Sequence, residues 1–132
     1  MNSTIHVLIV DDNKYLADIM GSALSIQPDI YVTDVCHSGV KALEVLRNTP
    51  VDIMLLDIIM PDMDGLQVLS LMNMNEVKKP GTILLTAIGS DDILERAAAL
   101  GADSFLTKPV NADVIVQKIR AVYHDRQKLT QS

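Results

Sequence analysis

Asp11, Asp12, Asp57, Thr86 and Lys108 are the residues whose types have the makings of chemistry. Each closes an apolar run: IHVLIV before Asp11-Asp12, VDIMLL before Asp57, GTILL before Thr86-Ala87, and DSFLT before Lys108-Pro109. Three carboxylates brought close repel, and one is driven toward protonation. A hard divalent cation, Mg2+ with Mn2+ as a substitute, removes that conflict, because it binds oxygen ligands while keeping waters and a substrate phosphate. Lysine adds a point charge for phosphate and threonine a hydroxyl donor. A carboxylate in such a setting attacks phosphorus and holds the phosphoryl group as an acyl phosphate. The cation and the lysine then offset charge on the equatorial oxygens during in-line transfer. On this reading Asp57 is the nucleophile, Lys108 and Thr86 are catalytic phosphate contacts, and Asp11, Asp12 and Asp57 are the metal ligands. Each residue alone also reads as a turn or helix-cap residue, and on spacing alone both readings stand.

Whether the five meet depends on the elements that carry them. Apolar runs of strand type cover 5–10, 30–35, 51–57, 81–87 and 103–108. Between them lie helical repeats: Leu16, Ile19, Met20, Ala23 and Leu24; Val40, Leu43 and Leu46; Leu66, Leu69 and Met72; Ile93, Ala97 and Leu100; and finally Val114, Ile115, Ile119 and Val122. Asn13, Ser90 or Asp91, and Asn111 stand as N-caps, and Gly101 as a C-terminal stop. Strands alternating with helices predict a parallel sheet covered on both faces. The first and third strands are the most evenly apolar and belong in its centre. The expected fold is α/β, a flavodoxin-like (βα)5 doubly wound five-stranded sheet of order 2-1-3-4-5. Its ligand site lies beyond the carboxyl ends of the strands. His124 onward is polar and reads as a fraying end, so a domain is expected over 1–124 and a tail or linker start over 125–132.

The 132 residues suit one domain. A net charge of −6 argues against this segment gripping nucleic acid by itself. Cys36 is the only cysteine, which excludes a disulfide framework and a cysteine zinc site and points to a reducing, cytoplasmic setting. No run approaches the ~18 apolar residues of a membrane helix, so no membrane partner is expected. Asp62-Met63-Asp64-Gly65 has the look of part of a calcium loop. In that register Met60 and Leu71 fall at the first and last ligand positions, which excludes it. Asp62, Asp64 and Gly65 read instead as a polar turn starting the third helix. There is no Walker loop and no G-x-G-x-x-G.

Taken together, VDD at 10–12, LLDIIMPDMDG at 55–65, LTA at 85–87 and FLTKP at 105–109 resemble the receiver domain of two-component response regulators, over nearly the whole chain. The wording of DIIMP…DGL and TAIGSDD is also similar to the receivers of the transcription factors that command sporulation in spore-forming bacteria. The resemblance implies that Asp57 accepts a phosphoryl group from a phosphohistidine on a histidine kinase or phosphotransfer protein. It implies that Asp12, Asp57 and the Ile59 carbonyl hold Mg2+ directly, with Asp11 acting largely through water. The Ile59 amide, Thr86, the Ala87 amide and Lys108 would bind the phosphoryl group. Thr86 and Phe105 would be a switch pair, with Phe105 standing where tyrosine is common, and the Lys108-Pro109 bond would be cis. It further implies a face for homodimerisation formed by the fourth helix, fifth strand and fifth helix, while the tail either leads to a DNA-binding output domain, with transcription as the output, or ends a stand-alone receiver. Ile59 and Ile88, two residues beyond Asp57 and Thr86, are apolar and cannot orient an attacking water, so slow self-dephosphorylation is expected.

Two other classes compete. A Mg2+-dependent aspartyl-phosphate phosphatase of related fold usually shows D-x-D-x-[TV] after its first strand, whereas here the acids are adjacent and Asn13 follows. A non-phosphorylated pseudo-receiver would lack Asp57, Lys108 or the acid pair, and all are present. The expectation is a phosphoacceptor switch that assists its own phosphorylation and dephosphorylation, not a conventional enzyme.

Overall fold

Side chains alternate across a strand, and the two hydrophobic cores of this protein follow from that alternation. The computed structural model describes residues 4–74, 78–87 and 90–131. Its elements in chain order are β1 (Ile5–Val10), α1 (Lys14–Ser25), β2 (Ile30–Cys36), α2 (Gly39–Asn48), β3 (Ile53–Asp57), α3 (Gly65–Met74), β4 (Gly81–Thr86), α4 (Asp91–Ala99), β5 (Ser104–Thr107) and α5 (Ala112–Gln131). The five strands form one parallel sheet of order β2-β1-β3-β4-β5, as the alternation of elements predicts. Leu8, Val10, Met54, Leu56 and Leu84 face α2, α3 and α4. Val7, Ile9, Ile53, Leu55, Ile83 and Leu85 face α1 and α5. β3 is buried along its whole length, so any polar side chain on it is there against a desolvation cost and needs partners.

Caps start the helices that follow the strands. Asn13, Ser38, Ser90 and Asn111 accept from the amides of Leu16, Lys41, Ile93 and Val114, each worth about 1 kcal/mol. Asp64 and Gln67 form a reciprocal capping box at α3. Gly65 lies so close to the end of β3 that a Cβ there would stand 2.8 Å from the Asp57 carbonyl oxygen. Its amide donates to the Ile58 carbonyl at 2.8 Å, which folds the loop after β3 back onto the strand. Among the described residues only Gly101 has positive φ, 102°, at the end of α4. Among the described residues no helix is long and apolar enough to cross a membrane.

Several helix faces differ from the expectation. In α1 the buried residues are Ala17, Gly21 and Leu24, while Leu16 and Ile19 remain 47% and 49% exposed. The cause is size: a Cβ on Gly21 would stand 3.2 Å from the Val35 side chain, so the small residues set the helix close on the sheet. Val40 and Val114 are likewise exposed, and Ala42, Val45 and Val116 take the inward positions. α5 does not fray at His124 but runs to Gln131. Arg126 holds that extension, donating to the Lys79 carbonyl at 2.9 Å and to Asp103 at 3.3 Å.

Arg120 grips Asp29 with two bonds of 2.9 Å and Gln27 with one of 3.0 Å, tying α5 to the turn before β2. The hydrogen bond from Arg120 holds the Asp29 carboxyl below its ordinary value of 3.8, against a smaller upward push from burial. A depressed carboxylate stabilises the fold above its unfolded pKa, and that contribution is lost as pH falls through the folded pKa. The pair is partly exposed, so solvent screening keeps its worth near about 1 kcal/mol. Arg120→Ala is therefore expected to lower the melting temperature at neutral pH by a few degrees. In melts taken at falling pH, the gap to wild type closes below pH 3.8.

Candidate functional site

The parallel sheet brings the carboxyl ends of β1, β3, β4 and β5 to one edge, and the polar residues that close these runs stand there together. Asp57 ends β3 and is 6% exposed, Asp11 follows β1 at 3%, and Thr86 ends β4 fully buried. Asp12 is exposed. Carboxylate oxygens of Asp11, Asp12 and Asp57 lie within 4.8 Å of one another. Lys108, directly after β5, reaches across: its Nζ donates to Asp57 Oδ2 at 3.0 Å and to Asp11 Oδ2 at 3.3 Å. The Lys108 amide donates to the Thr86 carbonyl at 2.8 Å, which fixes the root of that side chain beside β4. The Lys108-Pro109 bond is cis.

Local backbone holds the acids in place. The Ile59 amide donates to Asp57 Oδ1 at 3.2 Å. The Asn13 amide donates to Asp11 Oδ1 at 2.9 Å, and the Asp11 amide donates to the Cys36 carbonyl. The His37 ring Nδ1 lies 3.2 Å from the Asp11 carbonyl, a contact that no sequence pattern signals. Ile59 is 56% exposed at the rim of the cluster and Ala87 is exposed beyond β4. Phe105 is 45% exposed on β5. It pairs with Leu84 in the register that pairs Thr86 with Thr107, so Phe105 and Thr86 share one face of the sheet. A cavity of about 270 Å3 lies between β5 and α4, bordered by Phe105, Leu84, Leu94 and Ala97. Ile88 falls outside the described residues, and Asp62 is exposed in the turn before α3.

The charges do not balance. Burial pushes the Asp57 carboxyl above its ordinary range and the charge of Asp11 adds to the push, while the hydrogen bond from Lys108 opposes it. Burial alone would lower Lys108, but hydrogen bonding and attraction to Asp57 and Asp11 outweigh it and hold its ammonium above the ordinary value. Two like charges at such separations repel by about 3 kcal/mol at an effective dielectric of about 20. One ammonium cannot offset three such repulsions. The donor set is all hard oxygen, with Asp12 open to solvent and to water ligands, and so fits Mg2+ rather than a thiophilic metal.

Residues 7–120 match the family described as the response regulator receiver domain. The chain belongs to that family. Among solved structures, the receiver domain of a putative LuxO repressor protein from Vibrio parahaemolyticus is 30% identical, with a TM-score of 0.83 over 97% of this chain and 95% of that one. The response regulator domain of Thermotoga maritima CheB is 26% identical, with a TM-score of 0.83 over 92% of this chain and 97% of that one. A CheY-like receiver from Methanospirillum hungatei shares the fold at 24% identity and a TM-score of 0.84, over 96% and 98% of the two chains. The chain is thus a receiver of two-component signal transduction. Receivers bind Mg2+ at an acidic pocket and interact with histidine kinases or phosphotransfer proteins.

Proposed function

We propose that this receiver accepts a phosphoryl group on Asp57, from a phosphohistidine or a small phosphodonor, and switches an output through its α4-β5-α5 face. The observation that carries the reading is the bridge of Lys108 between Asp57 and Asp11 inside a cluster of three carboxylates. Asp12, Asp57 and the Ile59 carbonyl are assigned as direct Mg2+ ligands, with Asp11 acting through water. When bound, Mg2+ supplies positive charge to the oxygens of the transferring group. Asp57 attacks as a carboxylate. Lys108, the Thr86 hydroxyl and the amides of Ile59 and Ala87 bind the oxygens as charge develops there. Thr86 is drawn toward the new phosphoryl group and Phe105 turns inward behind it, a local charge change biasing a two-state element. The cavity beside Phe105 supports this by offering the ring room.

Exposed Phe105 and Val114 on β5 and α5 support homodimerisation on that face. The domain itself is assigned to 1–124. The helical continuation over 125–131 would lead to a DNA-binding domain, in a transcription factor of sporulating cells to judge by DIIMP…DGL and TAIGSDD. A cytoplasmic setting suits the free Cys36 thiol.

Incubation of the chain with acetyl phosphate and Mg2+ tests the reading by intact mass. The expected result is a gain of one phosphoryl group that chelation of Mg2+ prevents, and no gain with an active donor contradicts it. The aliphatic side chains of Ile59 and Ile88 leave an attacking water unoriented. Ile59→Asn combined with Ile88→Glu is expected to speed loss of the Asp57 phosphoryl group about tenfold or more, followed as decay of the phosphorylated mass. An unchanged decay rate removes these two positions from any role in dephosphorylation.

A further inference from the structure

A cavity of about 460 Å3 lies between α1 and α5 and opens onto the carboxylate cluster. Asp11 and Lys108 form its polar end, and Leu16, Ile19, Val110 and Ile115 its aliphatic walls. This size, with apolar walls and few polar groups at one end, is that of a small-ligand site. Leu16 and Ile19 are half exposed although aliphatic, because Ala17 and Gly21 occupy the core positions of α1. The helix therefore turns its larger side chains to this hollow rather than to the sheet.

The polar end is shared with the proposed phosphoacceptor site. Lys108 Nζ stands 3.0 Å from Asp57 and also lines the cavity. Leu16 and Pro109 border the hollow together with this lysine, and in an in-line transfer the leaving group departs on the side away from the nucleophile. A ligand that fits both ends carries a phosphoryl group for Lys108 and the cation, and a short hydrocarbon chain for the walls.

We propose that the cavity holds the hydrocarbon part of a short-chain aliphatic acyl phosphate that phosphorylates Asp57 directly; this rests on Asp57 being the acceptor. An Asp57 carboxylate oxygen bonds to phosphorus as the bond from phosphorus to the acyl oxygen breaks. The bonding pair leaves with that oxygen, and the product is the free aliphatic carboxylate. One mixed anhydride replaces another, so no proton and no redox partner is required.

The test measures initial phosphorylation rates of the full chain with Mg2+, by intact mass, using phosphoramidate, acetyl, butyryl and hexanoyl phosphate at equal subsaturating concentrations. The acyl donors release carboxylates of nearly equal basicity, so chain length reports binding rather than reactivity. A fully buried methylene is worth about fourfold. A cavity open on one side gives about twofold for each, so hexanoyl phosphate, four methylenes longer, is expected to react about sixteenfold faster than acetyl phosphate. Ile19→Ser, at a half-exposed position outside the acceptor site, flattens the series while leaving the phosphoramidate rate unchanged. A flat series in the wild type with acetyl phosphate active overturns the proposal and leaves the walls to a protein partner. A slope that persists in both Ile19→Ser and Leu16→Ser also overturns it. Failure of every donor to label Asp57 overturns the acceptor reading itself, and the cavity assignment with it.

Discussion

Asp57→Asn is expected to abolish phosphorylation and, in the absence of Mg2+, to raise the melting temperature. The first effect follows because an amide is no nucleophile for phosphorus at neutral pH, and neither Asp11 nor Asp12 occupies the end of β3. The second follows from the environment of Asp57. Burial and the Asp11 charge raise its folded pKa above the ordinary 3.8. For a carboxylate shifted upward, the native state holds its proton to higher pH than the unfolded chain, so stability falls as pH rises between the two pKa values. The cost of burying the charge is fully present above the folded pKa, and it fades as pH falls through it. An asparagine carbonyl still accepts from Lys108 without bringing a third negative charge. The variant is expected to gain about 1–2 kcal/mol at pH 7 in chelator, a shift of several degrees. With Mg2+ the order reverses, because a cation that binds the native state stabilises it in proportion to its affinity and the variant has lost a ligand. Thermal melts at pH 7 with chelator and with Mg2+, beside intact mass after acetyl phosphate, read all three effects. A variant that melts lower in chelator, or still gains a phosphoryl group, contradicts this account of Asp57.

Lys108→Ala is expected to slow phosphorylation by acetyl phosphate about 10²–10³-fold, the usual loss when one preorganised donor to a developing oxyanion is removed. Its ammonium is the group that meets both Asp57 and Asp11. Without it the cluster keeps three carboxylates and no bonded side-chain cation among the described residues. Removing one partner of a buried ion pair strongly destabilises because the other charge stays. Lys108 is partly solvated, which reduces the expected cost to about 2 kcal/mol in chelator. Mg2+ restores most of that stability, since the cation offsets the same carboxylates, but it does not restore the rate. This split between stability and rate, measured by melts and by initial phosphorylation rates, separates a catalytic lysine from a structural one. A rate within a factor of about two of wild type would assign Lys108 to structure alone.

The placement of the site residues was legible because parallel β/α topology delivers strand ends to one edge. Asp11, Asp57, Thr86 and Lys108 each close an apolar run, so fold and site were one inference. The unbroken apolar character of 53–56 foretold that β3 is buried on both faces. The capping box at α3 was half visible: Asp64 shapes the turn with Gln67, whereas Asp62 is simply exposed. What stayed hidden was the phase of the helices. In α1, Leu16 and Ile19 fit a helical stripe as well as Ala17, Gly21 and Leu24 do. Only the close approach of Gly21 to Val35, which depends on the sheet, decides between them. The reach of α5 to Gln131 was hidden for the same kind of reason: its last turns are polar, and Arg126 anchors them to Asp103 and the Lys79 carbonyl, residues distant in sequence. The imbalance of charge was legible as a count of acids, but its consequence for Asp57 depends on burial and on the positions of Asp11 and Lys108.

The central claim is that Asp57 itself carries the phosphoryl group. Borohydride reduction of the Mg2+- and acetyl phosphate-treated chain, followed by peptide mass mapping, tests it most directly, because reduction converts an aspartyl phosphate to homoserine at the residue that held it. Homoserine at position 57, absent without Mg2+, is the predicted result. Homoserine at position 11 or 12, or a phosphorylated chain with Asp57 intact, would contradict it.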